Sequence, residues 1–215
     1  MDWNSWHDRY DVADSWMARR LETVRAQIRA VLDAAPAGPL SVISLCAGDG
    51  RDLLHVLAGH PRRTDVRARL VELDARNAEA ASLTARGAGL EQVEVVTGDA
   101  ALIDRYKDRV PADLVLICGV FGNITDHDIE RTIGACNQLC RTGGTVIWTR
   151  HRGAPDRVPL ICDWFGAQDF ELRWVSEPSV GYGVGVHRFM GTPQPVRSGR
   201  RLFRFVGDDD LGRRS

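Results

Sequence analysis

The sequence predicts an α/β protein with a doubly wound, mostly parallel sheet of seven strands, an antiparallel hairpin at its C-terminal edge and an N-terminal helical lid. Short runs rich in valine, isoleucine and leucine alternate with longer amphipathic stretches from residue 40 onward. That alternation is typical of buried parallel strands joined by crossover helices. Two later apolar runs are joined by a loop of proline, serine and glycine, which is the spacing of a hairpin.

Each strand is predicted from one of these apolar runs. The predicted strands are residues 40–45, 68–73, 93–97, 114–118, 145–149, 170–176 and 183–190. The predicted helices between them are residues 51–58, 75–85 and 126–140, and glycine or proline follows the first two.

We expect one domain, because a chain of 215 residues that is 44% hydrophobic can bury one substantial core. Residues 1–39 are predicted as the helical lid segment, with a helix over 15–35 that Pro36 ends. Residues 40–206 are predicted as the sheet domain and residues 207–215 as a frayed terminus. Within the domain, residues 197–206 fit either a last strand or a segment that packs over the surface.

The charge balance and the cysteines exclude several classes of protein. The 28 lysines and arginines nearly balance the 29 acidic residues, so the global positive field that non-specific binding to nucleic acids or membranes requires is absent. We expect neither secretion nor a membrane span, since no basic region precedes an apolar run and no apolar stretch approaches about 18 residues. The five scattered cysteines indicate reduced thiols in a cytoplasmic protein. No metal site is expected, because Cys136 and Cys140 have no second cysteine or histidine pair at ligand spacing.

A loop of small residues follows the first strand. Cys46, Ala47, Gly48, Asp49 and Gly50 stand where the backbone must turn sharply before a helix begins, and such a loop lets a ligand approach closely. A plain glycine turn has the same composition. The loop therefore indicates a ligand site only together with other features.

Two acidic residues at later strand ends supply those features. Glu72 lies about two dozen residues beyond Gly48, where a carboxylate can accept hydrogen bonds from ribose hydroxyls. Asp74, which directly precedes a predicted helix, is interpreted as its N-cap. Asp99, beside Gly98 after the third strand, can accept a hydrogen bond from the amino group of adenine, or it can be a helix cap or a turn aspartate.

The order of these motifs resembles the class I S-adenosylmethionine-dependent methyltransferases. The matching stretches are Ser-Leu-Cys-Ala-Gly-Asp-Gly at 44–50, Val-Glu-Leu-Asp at 71–74, Gly-Asp-Ala at 98–100, Ala-Asp-Leu-Val-Leu-Ile-Cys-Gly at 112–119 and Arg-Thr-Gly-Gly-Thr-Val-Ile at 141–147. The resemblance spans about residues 40 to 150. It implies an enzyme with S-adenosylmethionine as cofactor and S-adenosylhomocysteine as product.

The resemblance also implies which residues bind the cofactor. The first loop binds the methionine end, the acid after the second strand binds ribose, the third strand's acid and its neighbour bind adenine, and the residues after the fourth strand face the sulfonium. In this sequence these roles fall on Cys46, Ala47, Gly48 and Gly50, on Glu72 and Leu73, on Asp99 and Ala100, and on Cys118 and Gly119.

The sequence departs from the commonest family motif at two positions. Ser44 stands where an acid is frequent, and Cys46 stands where the first glycine is usual. We expect a cysteine to be tolerated there if its φ is negative. A nicotinamide dehydrogenase is the competing interpretation, but Leu53 occupies the position of that fingerprint's third glycine, and Asp49 and Asp52 would repel a pyrophosphate.

The sequence gives weaker indications of the residues that would bind or activate the methyl acceptor. His127, His151 and Tyr10 are the candidate catalytic bases, needed only if the acceptor carries a proton. Trp3, Trp6 and Tyr10 either form a lid over the ligand or attach the N-terminal segment to the body by apolar burial. Arg150, Arg152 and Arg157 form either a receptor for an acidic substrate or a solvated loop.

We expect a small-molecule acceptor, and the rival functions are a nucleic-acid methyltransferase and a catalytically inactive cofactor-binding protein of the same fold. The Asn/Asp-Pro-Pro-aromatic motif of base amino-group methylation is replaced here by Cys-Gly-Val-Phe at 118–121. Activity is expected to survive chelation. The identity of the acceptor and the oligomeric state do not follow from the sequence.

Overall fold

A seven-stranded sheet organises the computed structural model, which describes residues 15–207. Its strands are β1 (Leu40–Leu45), β2 (Val66–Glu72), β3 (Val93–Thr97), β4 (Ala112–Ile117), β5 (Cys140–His151), β6 (Phe170–Val175) and β7 (Tyr182–Phe189). They lie in the order β3-β2-β1-β4-β5-β7-β6. Strands β1 to β5 are parallel, and β7 lies between β5 and β6, antiparallel to both. The predicted mostly parallel sheet with an antiparallel C-terminal hairpin is confirmed.

Helices cover both faces of the sheet. They are α1 (Trp16–Ala34), α2 (Leu53–Gly59), α3 (Ala75–Gly87), α4 (Asp126–Ala135) and α5 (Val158–Gly166). Alternate strand residues point to opposite faces, so Val42 of β1 packs in the core that contains α1, α2 and α3, whereas Ile43 packs in the core that contains α4 and α5. The sheet is therefore apolar on both sides, as the near-continuous apolar strands predict.

Four of the helices begin at side-chain caps, and at the start of α2 Asp52 accepts the N–H of Leu53. Ser15 accepts the N–H of Ala18 at the start of α1, and Thr125 accepts the N–H of Asp128 at the start of α4. Asp74 accepts the N–H groups of Arg76 and Asn77, 2.8 and 3.4 Å away, at the start of α3. The assignment of Asp74 to a cap rather than to a ligand contact agrees with this geometry.

The structure corrects two element predictions. Helix α4 ends at Ala135 and a 3₁₀ turn follows over Cys136–Gln138, because Cys140 already belongs to β5 and pairs with Ala112 of β4. Strand β5 therefore begins at Cys140 rather than at Thr145, and the two cysteines do not share a helix. Helix α5 was not among the predicted elements, since its nearly continuous apolar sequence hides the helical period.

The last described residues form a segment that we term the C-terminal strap, residues 191–207. It makes one isolated bridge, between Arg201 and Leu102, and buries Leu202 and Phe203. The N–H of Val206 then donates to the carbonyl of Asn123 in the loop after β4. Of the two predicted alternatives for this stretch, packing over the surface is the one observed.

Within residues 15–207, no helix combines the length and the apolar character that a membrane crossing requires.

Candidate ligand site at the carboxyl ends of the strands

The candidate site lies where the strand order reverses. β1 has β2 on one side and β4 on the other, and ligands of open α/β sheets bind beyond the carboxyl ends of the strands at such a switch point. A cavity of about 330 Å³ opens there. Its walls are formed by Arg20, Leu21 and Val24 of α1, by Cys46, Ala47, Gly48, Asp49, Arg51 and Asp52 after β1, by Glu72, Leu73, Asp74 and Asn77 after β2, and by Cys118, Gly119, Thr149 and Phe205.

Glu72 joins the end of β2 to the loop after β1. Its Oε2 accepts the N–H of Gly48 at 2.8 Å, and its Oε1 accepts the N–H of Asp74 at 2.9 Å. The N–H of Ala47 also donates to the carbonyl of Val71, 3.1 Å away. Each carboxylate oxygen has two lone-pair directions, so Glu72 keeps the capacity to accept hydrogen bonds from a ligand.

Cys46 has a left-handed backbone, with φ of +52°. The condition under which a cysteine was expected to be tolerated here, a negative φ, is therefore not met, and the residue adopts a conformation that glycine would adopt without strain. Burial raises the pKa of the Cys46 thiol, and the carboxylates of Glu72 and Asp99 raise it further. The thiol is consequently protonated, and both predicted cofactor acids lie near it.

Gly50 completes the turn into α2. Its φ is +71°, and a Cβ on this residue would lie 2.6 Å from Cδ1 of Leu54. Both the backbone conformation and the close packing on the helix require glycine here.

Asp99 and Ala100 are not among the residues that line the cavity. Asp99 accepts the N–H of Ala101 through Oδ1 and pairs with Nη2 of Arg201 on the C-terminal strap at 2.7 Å through Oδ2. Ala100 is buried, and its carbonyl accepts the hydroxyl of Tyr106. Their assignment to adenine stays a prediction.

The loop after β4 is held against β5. The N–H of Gly119 donates to Oγ1 of Thr149, 2.8 Å away, and Nδ2 of Asn123 donates to the carbonyl of Gly119 at 2.7 Å. Asn123 thus fixes this loop. Burial raises the pKa of the Cys118 thiol, the nearby carboxylate of Asp52 raises it further and Arg20 lowers it, with burial the largest effect. The two residues predicted to face the sulfonium, Cys118 and Gly119, both line the cavity.

Two of the three candidate bases, His127 and His151, lie within the described residues and outside the cavity wall. His127 is exposed in the first turn of α4, and His151, the last residue of β5, accepts the N–H of Gly153 through Nδ1. Neither lines the cavity, and their catalytic role stays a prediction. Tyr10, like Trp3 and Trp6, lies outside the described residues.

The three arginines at and just after the end of β5 have partners within the chain. Arg152 pairs with Asp156 at 2.6 Å, and Arg157 pairs with Asp126 at 2.9 Å. Arg150 donates to the carbonyl of Phe121. Among residues 15–207, no group of three histidine, cysteine or acidic side chains is arranged to hold a metal ion.

Several wall residues were not predicted. Arg20 and Val24 are four residues apart in α1, so the sequence places them on one helix face, but only the tertiary packing shows that this face meets the cavity. Asp52 entered the sequence analysis only as a charge that would repel a pyrophosphate, and the structure shows that it caps α2 and lines the cavity. Phe205 carries no sequence signal, because it reaches the cavity through the path of the C-terminal strap.

No family model and no curated protein matches the sequence. Among solved structures, the chain is similar to a magnesium protoporphyrin IX methyltransferase from Synechocystis PCC 6803, determined with bound S-adenosylmethionine, with a TM-score of 0.67 and 12% identity over 87% of this chain and 90% of that one. It is also similar to the 1,6-didemethyltoxoflavin-N1-methyltransferase of Burkholderia thailandensis, determined with S-adenosylhomocysteine, with a TM-score of 0.64 and 20% identity over 87% and 85% of the two chains. An rRNA methylase from Streptococcus thermophilus matches with a TM-score of 0.59 and 15% identity over 77% and 95%. The chain therefore has the fold of the S-adenosylmethionine-dependent methyltransferases, as the motifs predict.

Proposed function

We propose that the chain is an enzyme that binds S-adenosylmethionine and transfers its methyl group to a small-molecule acceptor. The observation that carries the proposal is the position of Glu72. Its carboxylate lies on the wall of a cavity at the switch point of this fold and is hydrogen-bonded to the backbone of the glycine loop.

The residues of the site fit this cofactor better than a dinucleotide. Leu53, at the position of the third glycine of a dinucleotide fingerprint, is fully buried, and the carboxylates of Asp49 and Asp52 line the cavity where a pyrophosphate would need positive potential. A cofactor without phosphate meets no such repulsion. In this assignment Glu72 accepts the ribose hydroxyls and Asp99 with Ala100 contacts adenine.

When bound, S-adenosylmethionine supplies a methyl group on a positively charged sulfur. The chain's part is mainly to position the acceptor and to exclude water, because in-line transfer depends on alignment. Leu21, Val24 and Phe205 contribute apolar side chains to the cavity wall. Burial raises the pKa of both cavity thiols, Cys46 and Cys118, so they stay protonated and do not compete with the acceptor as nucleophiles.

A small acceptor is supported by two observations. The chain has balanced charge, with 28 basic and 29 acidic residues, rather than the basic face of a nucleic-acid enzyme. The two neighbours of higher TM-score are named for a porphyrin and a toxoflavin precursor.

The proposal is tested by isothermal titration with S-adenosylmethionine, S-adenosylhomocysteine and NADH. We expect both adenosylated ligands to bind and NADH not to bind. At a ligand concentration of about 100 times Kd, the folded state should gain about 2.7 kcal/mol, which is visible as a rise in Tm. Failure of both ligands to bind at high micromolar concentration would overturn the proposal.

Glu72→Gln is the matched variant for this titration. The amide keeps the size of the side chain but loses one acceptor oxygen and the negative charge, so it weakens the bonds to Gly48, Asp74 and ribose. We expect the affinity for S-adenosylhomocysteine to fall about 10-fold or more, since hydrogen bonds to charged groups contribute about 1.5–3 kcal/mol. Unchanged affinity would remove Glu72 from the ligand site.

Methyl transfer itself is followed with radiolabelled S-adenosylmethionine on small-molecule extracts and on total RNA. Label in small molecules supports the proposal, whereas label in RNA alone would favour the nucleic-acid alternative. Cofactor binding without transfer to any acceptor would favour the catalytically inactive alternative.

A further inference from the structure

Strand β6 ends the sheet on the side away from the cavity. It is the last strand in the order and pairs with β7 alone, so in the part of the chain that the structure describes no strand covers its other side. An edge strand of this kind presents unpaired backbone N–H and C=O groups. The pairing with β7 also skips Arg173, which therefore has no partner residue in β7. The edge is open to another strand.

Exposed apolar side chains gather at this edge. Among residues 15–207, eight large hydrophobic side chains are exposed, and four of them belong to the β6–β7 hairpin or follow it directly. Leu172 and Trp174 lie on β6 and are 46% and 37% exposed, Val180 lies in the loop to β7, and Met190 follows β7. The N–H of Met190 donates to the carbonyl of Asp169, 2.8 Å away, just before β6 begins. Apolar groups gathered in this way are typical of a contact surface.

The charges on β6 are arranged symmetrically about Leu172. Glu171 precedes it and Arg173 follows it, and their side chains form an ion pair at 2.9 Å with half of each side chain exposed. The two side chains therefore share one face of the strand. Charges of one sign would repel a second copy of the edge. The order Glu-Leu-Arg is instead its own complement when the strand is reversed, because each acid then meets the arginine of the other copy.

We propose that the free edge of β6 is a contact surface for a second copy of this chain, paired antiparallel about a two-fold axis at Leu172. In this register Leu172 lies opposite Leu172 of the second copy, and Glu171 of each copy lies opposite Arg173 of the other. Trp174 of each copy lies against the start of β6 in the other, the end of the edge at which Met190 is exposed.

The contact has the self-complementarity that a two-fold axis requires. The net charge of −1 leaves little overall repulsion between two copies. The surface lies outside the cavity and its residues do not line it. The inference is therefore independent of the proposed function, and failure of either one leaves the other standing.

The first test measures the molar mass of the full chain by light scattering during gel filtration, at protein concentrations of about 1 to 200 µM, since small interfaces associate weakly. We expect the mass to rise with concentration from 23.8 kDa toward twice that value. Leu172→Lys should keep the chain monomeric, because it removes the central apolar contact and places two like charges opposite each other. Leu83→Lys is the matched control, since Leu83 is an equally exposed leucine on α3, at 57%, and it should leave the dimer intact.

The second test exchanges the charges on either side of Leu172. Glu171→Arg and Arg173→Glu should each raise the Kd of the dimer about 10-fold, because each places like charges opposite each other at two symmetric positions. The double variant Glu171→Arg/Arg173→Glu should restore the wild-type Kd. Restoration is specific to antiparallel pairing in this register. Single variants with an unchanged Kd would show that the two charges pair only within one chain and would overturn the proposal.

The third test reads the register directly. At the two-fold axis the two Cα atoms of residue 172 would be about 4.5–5.5 Å apart, a separation that a disulfide spans. Under mild oxidation we expect Leu172→Cys to form a covalent dimer on a non-reducing gel, and Leu83→Cys, which carries the same native cysteines, to remain a monomer. A wild type that is monomeric throughout the concentration range, equal masses for Leu172→Lys and Leu83→Lys, or equal cross-linking of the two cysteine variants would overturn the proposal.

Discussion

Cys46 is a non-glycine residue with a backbone conformation that glycine adopts more easily. Its φ of +52° belongs to the left-handed region, which costs an L-residue about 1–2 kcal/mol. Strain of this kind is often found where a loop is shaped for a ligand. Here the strained residue lines the cavity and lies two residues before Gly48, whose N–H donates to Glu72.

The strain at Cys46 is measured by comparing Cys46→Gly with Cys46→Ala. Both variants lose the thiol, but only glycine adopts this backbone conformation without steric cost. We expect the glycine variant to unfold at higher urea concentration, with a free energy of unfolding about 1 kcal/mol above that of the alanine variant. An alanine variant as stable as the glycine variant would show that the position is not strained.

At this scale, local motifs of the sequence identified residues that line the cavity, and the roles of these residues in cofactor binding stay predictions. The cavity wall includes Cys46, Ala47, Gly48, Glu72, Leu73, Cys118 and Gly119, all predicted from motifs that follow strand ends. Arg20 and Phe205 could not be predicted in the same way, because their positions depend on how α1 and the C-terminal strap pack. The positive φ of Cys46 could not be predicted from the residue types of the loop either.

At the scale of elements, β1 and β3 were predicted with the bounds that the structure shows, since their apolar runs end sharply. The first residues of β5, Cys-Arg-Thr-Gly-Gly, have no apolar pattern and become part of the strand through pairing of Cys140 with Ala112. Such pairing is a tertiary interaction that no local pattern predicts.

Strand β7 contains a glycine that makes room for a buried indole. Gly185 pairs with Trp148 of β5, and a Cβ on Gly185 would lie 2.3 Å from Cε2 and Cζ2 of the indole. Trp148 is fully buried, stacks with Phe165 at 6.2 Å and donates from Nε1 to Nδ1 of His187 at 3.1 Å. The ring therefore has no room to move.

We expect Gly185→Ala to lower the free energy of unfolding by about 1–3 kcal/mol, as overpacked cores do. Gly166→Ala is the control, because a Cβ at the end of α5 would meet no atom within 4 Å, and its effect should stay within about 0.5 kcal/mol. Urea unfolding of both variants measures the difference. Equal stabilities would mean that β5 and β7 adapt to the methyl group.

At the scale of the whole molecule, the two ends of the described chain meet at one cavity. Helix α1 contributes Arg20, Leu21 and Val24 to its wall, and the C-terminal strap contributes Phe205. The motif-bearing region of about residues 40 to 150 therefore supplies only part of the site. The rest of the wall exists only once the whole chain has folded.

Global stability is also expected to depend on pH through His187. This side chain is fully buried, stacks on Phe165 at 4.4 Å between ring centroids, and accepts the Trp148 N–H through Nδ1. Within residues 15–207, Nε2 has no hydrogen-bond partner. Burial lowers the pKa of His187 from 6.5 to about 4, because the charged imidazolium has neither water nor an acceptor.

The free energy of unfolding decreases as the pH falls, because His187 binds its proton more tightly in the unfolded chain than in the folded one. Above pH 6.5, His187 is neutral in both the folded and the unfolded chain and does not change the stability. As the pH falls from 6.5 toward the folded pKa of about 4, stability is lost progressively. Each pKa unit corresponds to about 1.36 kcal/mol, so the loss approaches about 3 kcal/mol near pH 4. Other groups titrate in the same pH range, so the contribution of His187 to the pH dependence of stability has to be measured with a variant.

His187→Gln provides that comparison, because its amide oxygen can still accept the Trp148 N–H while the side chain cannot be protonated. The wild type should be the more stable protein at pH 7, since the glutamine loses the ring stacking. Between pH 6.5 and 4 the difference in free energy of unfolding between the two proteins should shift toward the variant by about 3 kcal/mol. Urea unfolding at matched pH values measures this shift, and a difference that stays constant across the range would show that His187 keeps an ordinary pKa in the fold.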